Sequence, residues 1–340
     1  MRKNHAVTLA GLFWLGLGCS LLAVDDTVYV RDKKTDKVVD VKGDITADTV
    51  AGIKLKSGPT VKNFDLQEIV RVTYGDLPKD QRLLYSSIMT AEDRREEETA
   101  LKEYTGLLPK LKNSPKMSRQ VEFRKAVLQA KLASTPEQLT DAAKQLAAYL
   151  TAHPDGWQYS IAARQLARIY IADTKYDEAL DVLNRLGTMA ALPKDVKNEV
   201  ELLAIDVLIA AAKPADATKR IRDASIGLTA ADPMKQRLDL YTIALDTKVK
   251  PEDKIPQVEA IINNAADPNL KALGYNIKGD CFMQAKKSRD AMWSYLWVEM
   301  VYNQDPSERL KALDRLSKYF EEQNDDERAK VYRDKIAELR

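Results

Sequence analysis

Few residues in this chain could do chemistry, and their surroundings decide what each can do. His153 is the only histidine beyond His5. It precedes Pro154 in a stretch that reads as a turn, with no ligand-type partners at metal spacing, so a solvated loop residue is expected. Cys281 sits beside Phe282 and Met283 with nothing to lower its thiol pKa, which predicts a small core residue and not a nucleophile. Acidic runs such as Asp325-Asp326 and Asp93 to Glu98 are interleaved with basic residues, the pattern of solvated helix surfaces. Phosphate-cradling glycine loops, nucleophile elbows and His-Glu metal helices do not occur. The expectation is a non-enzymatic protein with no catalytic residue, no metal site and no cofactor.

Two groups suit binding instead. Trp293, Tyr295, Trp297 and Tyr302 concentrate aromatic area in one short stretch; Tyr295 is expected inside, and exposure of Trp293 or Trp297 would mark a docking surface. Arg164 and Arg168 stand one helical turn apart, a spacing able to grip a carboxylate of a partner peptide.

The global charge excludes one class of partner. Removing residues 1–23 takes away Arg2 and Lys3 and no acid, so the 53 basic residues fall to 51, equal to the 51 acidic ones. A neutral body has no field to gather phosphates, and nucleic acid is not the expected partner. Cysteine is as uninformative: once that segment is gone Cys281 stands alone, and no intrachain disulfide is possible.

Helical elements must position these residues. From Lys79 onward no strand pattern returns, and Ala163 to Leu186 shows the unit most clearly: Ala163, Ala167 and Ala179 alternate with Leu166, Tyr170, Tyr176, Leu180, Leu183 and Leu186 at helical spacing. Two antiparallel helices approach closely only where a side chain is small, so a helical hairpin follows. Small residues recur at Ala142, Ala179, Ala217, Ala291 and Ala329, with Ile255 in the one vacancy and a degenerate first unit at Ala100, Tyr104 and Leu107. Asp232-Pro233, Asp267-Pro268 and Asp305-Pro306 each place an N-cap acid before a first-turn proline. Glu308 and Gln138 complete capping boxes with Asp305 and Thr135, while Pro251 and Pro256 should shorten a helix.

The unit resembles the tetratricopeptide repeat. Leu166-Ala167 stands for that repeat's Leu-Gly, Tyr170 for its Tyr, Ala179 for its central Ala and Leu183 for the Phe four residues on. The resemblance implies an α-solenoid of about six or seven hairpins over residues 79–340, whose first helices line a concave groove. Carried over residue by residue, the groove positions are Arg124, Val127 and Lys131, then Ile161, Arg164 and Arg168, then Glu199, Leu202 and Asp206, then Leu273, Asn276 and Asp280. They do not reproduce the family's carboxylate clamp, so a chaperone-tail receptor is not implied.

Residues 24–78 have a different period. Thr27–Val30, Val38–Val41, Asp44–Thr46, Val50–Leu55 and Ile69–Val72 are short β-rich runs, with Gly43 where a long second strand must bend. Their layout resembles an SH3-like or Sm-like barrel. Residues 1–23 read as an export signal: Arg2, Lys3 and His5 precede an apolar run ending at Ala23. Lipid attachment at Cys19 and an uncleaved anchor are the alternatives, and every version exports the body of the protein, pointing to a bacterial periplasm or envelope. The expected function is a scaffold holding a protein or peptide in the groove, with Arg164, Arg168, Asp206, Asn276, Asp280, Trp293 and Trp297 as contact residues. Two alternatives stand beside it: a barrel that binds glycan or single-stranded RNA through Tyr29, Phe64 and Tyr74, and a self-assembling structural protein.

Overall fold

The computed structural model describes residues 25–32 and 35–339. Residues 1–23, expected as an export signal, lie outside the described residues, with Cys19 among them.

Five strands come first: β1 (Asp26–Arg31), β2 (Val38–Thr49), β3 (Gly52–Ser57), β4 (Thr60–Asp65) and β5 (Ile69–Thr73), all antiparallel in the order β4-β3-β2-β1-β5. The runs expected as Val38–Val41 and Asp44–Thr46 are one strand. Its first half pairs with β1 as far as Gly43 opposite Asp26, and its second half pairs with β3 from Asp44 opposite Lys56. At Gly43 the two pairings meet, and a Cβ there would lie 2.2 Å from the Lys56 carbonyl oxygen, so that crossing requires glycine. β4 has no alternating apolar pattern to announce it, and Val61 on it is 55% exposed.

The expected small all-β unit is thus present as a five-stranded antiparallel sheet bent at Gly43, with no ladder between β4 and β5 among the described residues. Its core is shared with the helices. Val28, Leu55 and Val72 belong to one apolar cluster with Tyr85, Leu107, Met117, Leu146 and Leu166.

Among the described residues fourteen α-helices form seven hairpins: α1 (Arg82–Asp93) with α2 (Glu97–Leu107), α3 (Pro115–Leu132) with α4 (Pro136–Ala152), α5 (Tyr159–Ala172) with α6 (Tyr176–Gly187), α7 (Lys194–Ala210) with α8 (Pro214–Ala224), α9 (Pro233–Leu245) with α10 (Pro251–Asn264), α11 (Pro268–Gln284) with α12 (Ser288–Met300), and α13 (Pro306–Glu322) with α14 (Asp326–Leu339). Ala100, Ala142, Ala179, Ala217, Ala291 and Ala329 each lie on the second helix of a hairpin and are buried. In the fifth hairpin the position belongs to Lys254 and not Ile255. Lys254 is 4% exposed, starts the buried row continued by Val258 and Ile262, and satisfies its ammonium on the Ala244 carbonyl oxygen at 3.1 Å. Nor is α10 shortened: Pro251 takes the first helical position and Pro256 sits inside a 14-residue helix.

The turns repeat as closely as the helices. Arg95, Thr174, Ala212, Lys286 and Asn324 all have φ between 54° and 61°, each five residues before a central alanine. The hairpin thus imposes a left-handed residue at a fixed place, and only Asn324 is of a type that tolerates it well. Asp232, Asp267 and Asp305 accept the N–H groups of Met234, Asn269 and Ser307 at 2.9 Å, and Thr135 with Gln138 forms the expected capping box.

The β module is welded to the first helices of the early hairpins. Asp48 on β2 accepts the Tyr74 hydroxyl at 2.6 Å, the Trp157 N–H at 3.0 Å and the Arg119 guanidinium of α3. Asp76 accepts the Lys116 and Met117 N–H groups at the start of α3 (2.9 and 3.2 Å), and Arg71 on β5 forks onto Asp93 of α1 (3.3 and 3.2 Å).

Candidate functional site

The row of first helices, where a groove is expected, is occupied along both of its halves. In the early hairpins the groove cations are paired: Arg124 forks onto Glu92 (2.9 and 2.7 Å), Lys131 pairs with Glu97, and Arg164 pairs with Glu199. Burial lowers the pKa of Arg164, partly offset by Glu199, and Arg168 lowers it further. Gln67 of the β module donates to Glu199 at 3.4 Å, so the module reaches across to α7. Of the expected gripping pair, only Arg168 is exposed and without a carboxylate partner among the described residues.

In the later hairpins the helices close on one another through charge. Glu308, at the start of α13, is fully buried; it accepts the Asn276 side-chain amide of α11 at 2.8 Å and the Lys311 ammonium at 2.8 Å, with Arg237 of α9 at 3.8 Å. Asp206 of α7 accepts the Tyr241 hydroxyl at 2.8 Å and Lys311 at 3.4 Å. Four first helices, α7, α9, α11 and α13, meet at one network, whose centre, Glu308 with Asn276, is buried while Lys311, Asp206 and Arg237 keep some solvent access. Burial alone would raise the Glu308 pKa, but Lys311, Asn276 and Arg237 hold it below the usual glutamate range. Lys311 is shifted the other way: burial disfavours its charge, and Asp206 and Glu308 outweigh that and hold its pKa above the usual lysine range.

With Arg164, four of the expected contact residues are therefore interior or engaged. Asn276 is 2% exposed, and Asp206 belongs to the network just described. Asp280 accepts Arg315 in a fork (2.5 and 2.6 Å) and the Tyr295 hydroxyl at 2.9 Å. Glu308 is also not the capping-box residue expected of it: its N–H reaches Asp305 at 3.3 Å, while its carboxylate turns inward to Asn276. His153 is half-buried, 2.9 Å from Glu122 and against the Tyr149 ring, where a solvated residue is expected. Cys281 is buried, which raises its thiol pKa. The three rings assigned to the β module share no open face, because Tyr74 is 1% exposed.

The outer face of α12 is different. Trp293, Trp297, Met300 and Val301 are 53%, 46%, 73% and 43% exposed. Their spacing, four, three and one, puts them on one stripe. Trp297 stacks on Tyr275 of α11 (centroids 5.8 Å) and Tyr302 closes the stack at 5.4 Å from Tyr275, with the Lys271 and Lys278 ammoniums each 5.7 Å from a ring. Counting from the central small residue gives the matching places in other hairpins. Where α12 has Trp293, the other second helices have Lys102, Lys144, Asp181, Lys219, Pro256 and Val331; where it has Trp297, they have Gly106, Ala148, Arg185, Asp223, Ala260 and Lys335. Val331 is the one large apolar side chain among them, and none is aromatic. The sequence reading singles out the two tryptophans but not Met300 and Val301, which fall where the helix ends and look like core residues until the register is known.

No family model matches the chain, and no curated protein does. Among solved structures, a tetratricopeptide repeat protein from Parabacteroides merdae is similar over 77% of this chain and 94% of its own, with TM-score 0.53 and 13% identity. A complex of Naa15/Naa10 bound to HypK-THB aligns over 70% of this chain and 39% of that one at TM-score 0.26 and 11% identity, a likeness too low to argue from. The fold is thus a tetratricopeptide-like α-solenoid of seven hairpins preceded by a five-stranded antiparallel sheet.

Proposed function

We propose that this chain is an exported, non-enzymatic interaction scaffold that docks protein through the outer face of α12. One observation carries the reading: Trp293 and Trp297 stand exposed at helix positions where no other hairpin of the solenoid has an aromatic residue. A half-exposed tryptophan held in a ring stack is already ordered, so it loses little entropy on binding, and aromatic anchors of this kind dominate interface energetics. The inner face contributes less, since the β module and the ionic network fill it and leave Arg168 as its one expected contact residue still open. Arg164→Glu would set an acid against Glu199 and so disturb the packing of α5 on α7.

Oxidative footprinting tests the docking face. Trp293 and Trp297 should react freely in dilute purified protein and be shielded in the cell-envelope extract of the source; equal reactivity in the two would refute the reading. Export rests on the leader with Arg2 and Lys3. Fractionation should place the protein outside the cytosol with Val24 as its first residue, and a cytosolic product still starting at Met1 would rule export out.

A further inference from the structure

We infer that the occupant of the α12 face is an acidic amphipathic segment of another protein, apolar at its centre and carrying carboxylates at both ends. The inference rests on the reading of that face as a docking surface and adds the chemistry of what docks there.

The aromatic row lies between cations that the chain leaves without carboxylate partners. Arg289 stands on the stripe itself, one turn before Trp293, and Lys286 and Lys287 precede it in the turn that leads into α12. At the other end the Lys271 ammonium of α11 lies 5.7 Å from the Tyr302 ring. None of these four donates to a carboxylate among the described residues. The acids nearby are engaged elsewhere: Glu259 holds Lys278 at 2.7 Å, Glu299 holds Arg309 and Lys335, and Asp267 and Asp305 cap helices. On α12 itself Asp290 is the one exposed acid. In a chain whose body is neutral, positive charge is thus concentrated around its exposed aromatic row.

Those cations do nothing for the helix they precede. Bases at a helix start oppose its dipole, and other second helices open on acids, as α2 does with Glu97 and Glu98 and α6 with Asp177 and Glu178. A carboxylate arriving from outside would be favoured both by the bases and by the positive end of α12. The row from Arg289 to Tyr302 runs about 20 Å along the helix, the length of an amphipathic helix of about three to four turns. Apolar anchors in the middle with complementary charge at the rim is the ordinary anatomy of a protein interface. Trp297 is pinned on Tyr275 and Tyr302, with centroids 5.8 and 6.3 Å away, so the row offers a fixed relief to a shaped partner, and its rings are not free to sink among lipid tails.

Oxidative footprinting of Trp293 and Trp297 in the envelope extract tests this, run at about 50 and about 500 mM salt and repeated with the double variant Arg289→Glu/Lys271→Glu. The extract concentration that half-protects the tryptophans should rise at least about tenfold in the variant and at the higher salt, and Arg289→Lys with Lys271→Arg should restore it. Both glutamates lie at the starts of their helices, where they complement the dipole, so the melting temperature should hold or rise. A carbodiimide, which joins ammonium groups to carboxylates, should link Lys271 or Lys286 to an acidic residue of the bound protein. Shielding indifferent to salt and to charge reversal overturns the inference and leaves the docking face standing. Shielding by phosphatidylglycerol vesicles alone overturns it too, and makes the occupant a membrane. A lowered melting temperature in the variant would assign the cations to the fold and end the argument from charge. If the tryptophans react equally in extract and in dilute protein, the docking reading falls and this inference falls with it.

Discussion

The two halves of the solenoid fill the same inner face by opposite means. From α1 to α7 the β module meets the face at α1, α3, the approach to α5 and Glu199 of α7 and shares an apolar core with these hairpins, and polar contacts such as that of Asp48 with Arg119 and Trp157 sit at the seam. From α7 to α13 the helices are drawn together by charges around the fully buried Glu308. One repeat geometry therefore supports both an apolar weld and an ionic clasp. The lesson is that a solenoid's inner curve does not have to be a binding groove; what fills it depends on the side chains that project there. α7 belongs to both halves, since Ala204 and Val207 pack in the first apolar cluster and Ile205 in the second.

The sharpest way to break the comparison is to remove the buried acid. Glu308→Ala leaves Lys311 and Arg237 facing each other with no intervening carboxylate in a site where Glu308 is fully buried, and loss of one member of such a network costs about 3–5 kcal/mol. Hydrogen exchange should show α9 to α14 opening while the strands and α1 to α5 stay protected. Uniform loss of protection along the whole chain would mean the halves are not distinct. Asp48→Ala is the converse for the weld. It strips partners from Arg119, the Tyr74 hydroxyl and the Trp157 N–H, but Asp48 keeps some solvent access, so the expected cost is smaller, about 2–3 kcal/mol. Protection should fall first in β2, β5 and α3. The comparison fails here if α13 is the first to open.

Acid should separate the halves more gradually. In the clasp half Glu308 is held below its ordinary pKa, as is Glu299, which burial would raise but which Arg309 and Lys335 pull down by hydrogen bonds. A depressed carboxylate contributes stability that is fully present above its unfolded value, about 4.3, and lost as pH falls through the folded value. In the weld half, burial raises Asp76, against hydrogen bonds from the Lys116 and Met117 N–H groups. Its sign is opposite, so its contribution grows as pH falls. Lowering pH from 7 to about 3.5 should therefore loosen α11 to α14 before the strands, and exchange measured at the two pH values checks the order. Simultaneous opening, or strands first, would contradict the assignment.

How much of this was legible in the sequence follows from the range of each interaction. The hairpins could be read because Ala142, Ala179 and Ala291 answer a local steric need repeated at nearly constant spacing. The fifth hairpin misleads because Lys254 can enter the small position by running its stem along apolar surface and ending on a carbonyl, a solution composition does not announce. Asp305 and Glu308 have the spacing of a capping box, and nothing within four residues tells whether that carboxylate turns back or reaches α11. The approach of Lys311 to Asp206 joins residues 105 apart and leaves no local trace. The α12 stripe stood between these cases. Its tryptophans were visible as a concentration of aromatics, but which of them faced water followed only once the hairpin register was fixed.

The smallest effect probes the helix the halves share. Ala212 ends the turn after α7 with φ 54°, a left-handed conformation that costs a Cβ-bearing residue about 1–2 kcal/mol. Glycine relieves that strain but enlarges the entropy of the unfolded chain, so Ala212→Gly should gain only about 0.5–1 kcal/mol. The informative readout is where the gain appears. α7 carries Glu199, which receives Gln67 of the β module, and Asp206, which receives Lys311 of the clasp. If α7 is the beam on which both halves rest, stabilising its hairpin should slow exchange in β5 and in α13 together, at amides more than a hundred residues apart. If only one half responds, α7 belongs to that half, and the border between weld and clasp lies on the other side of it.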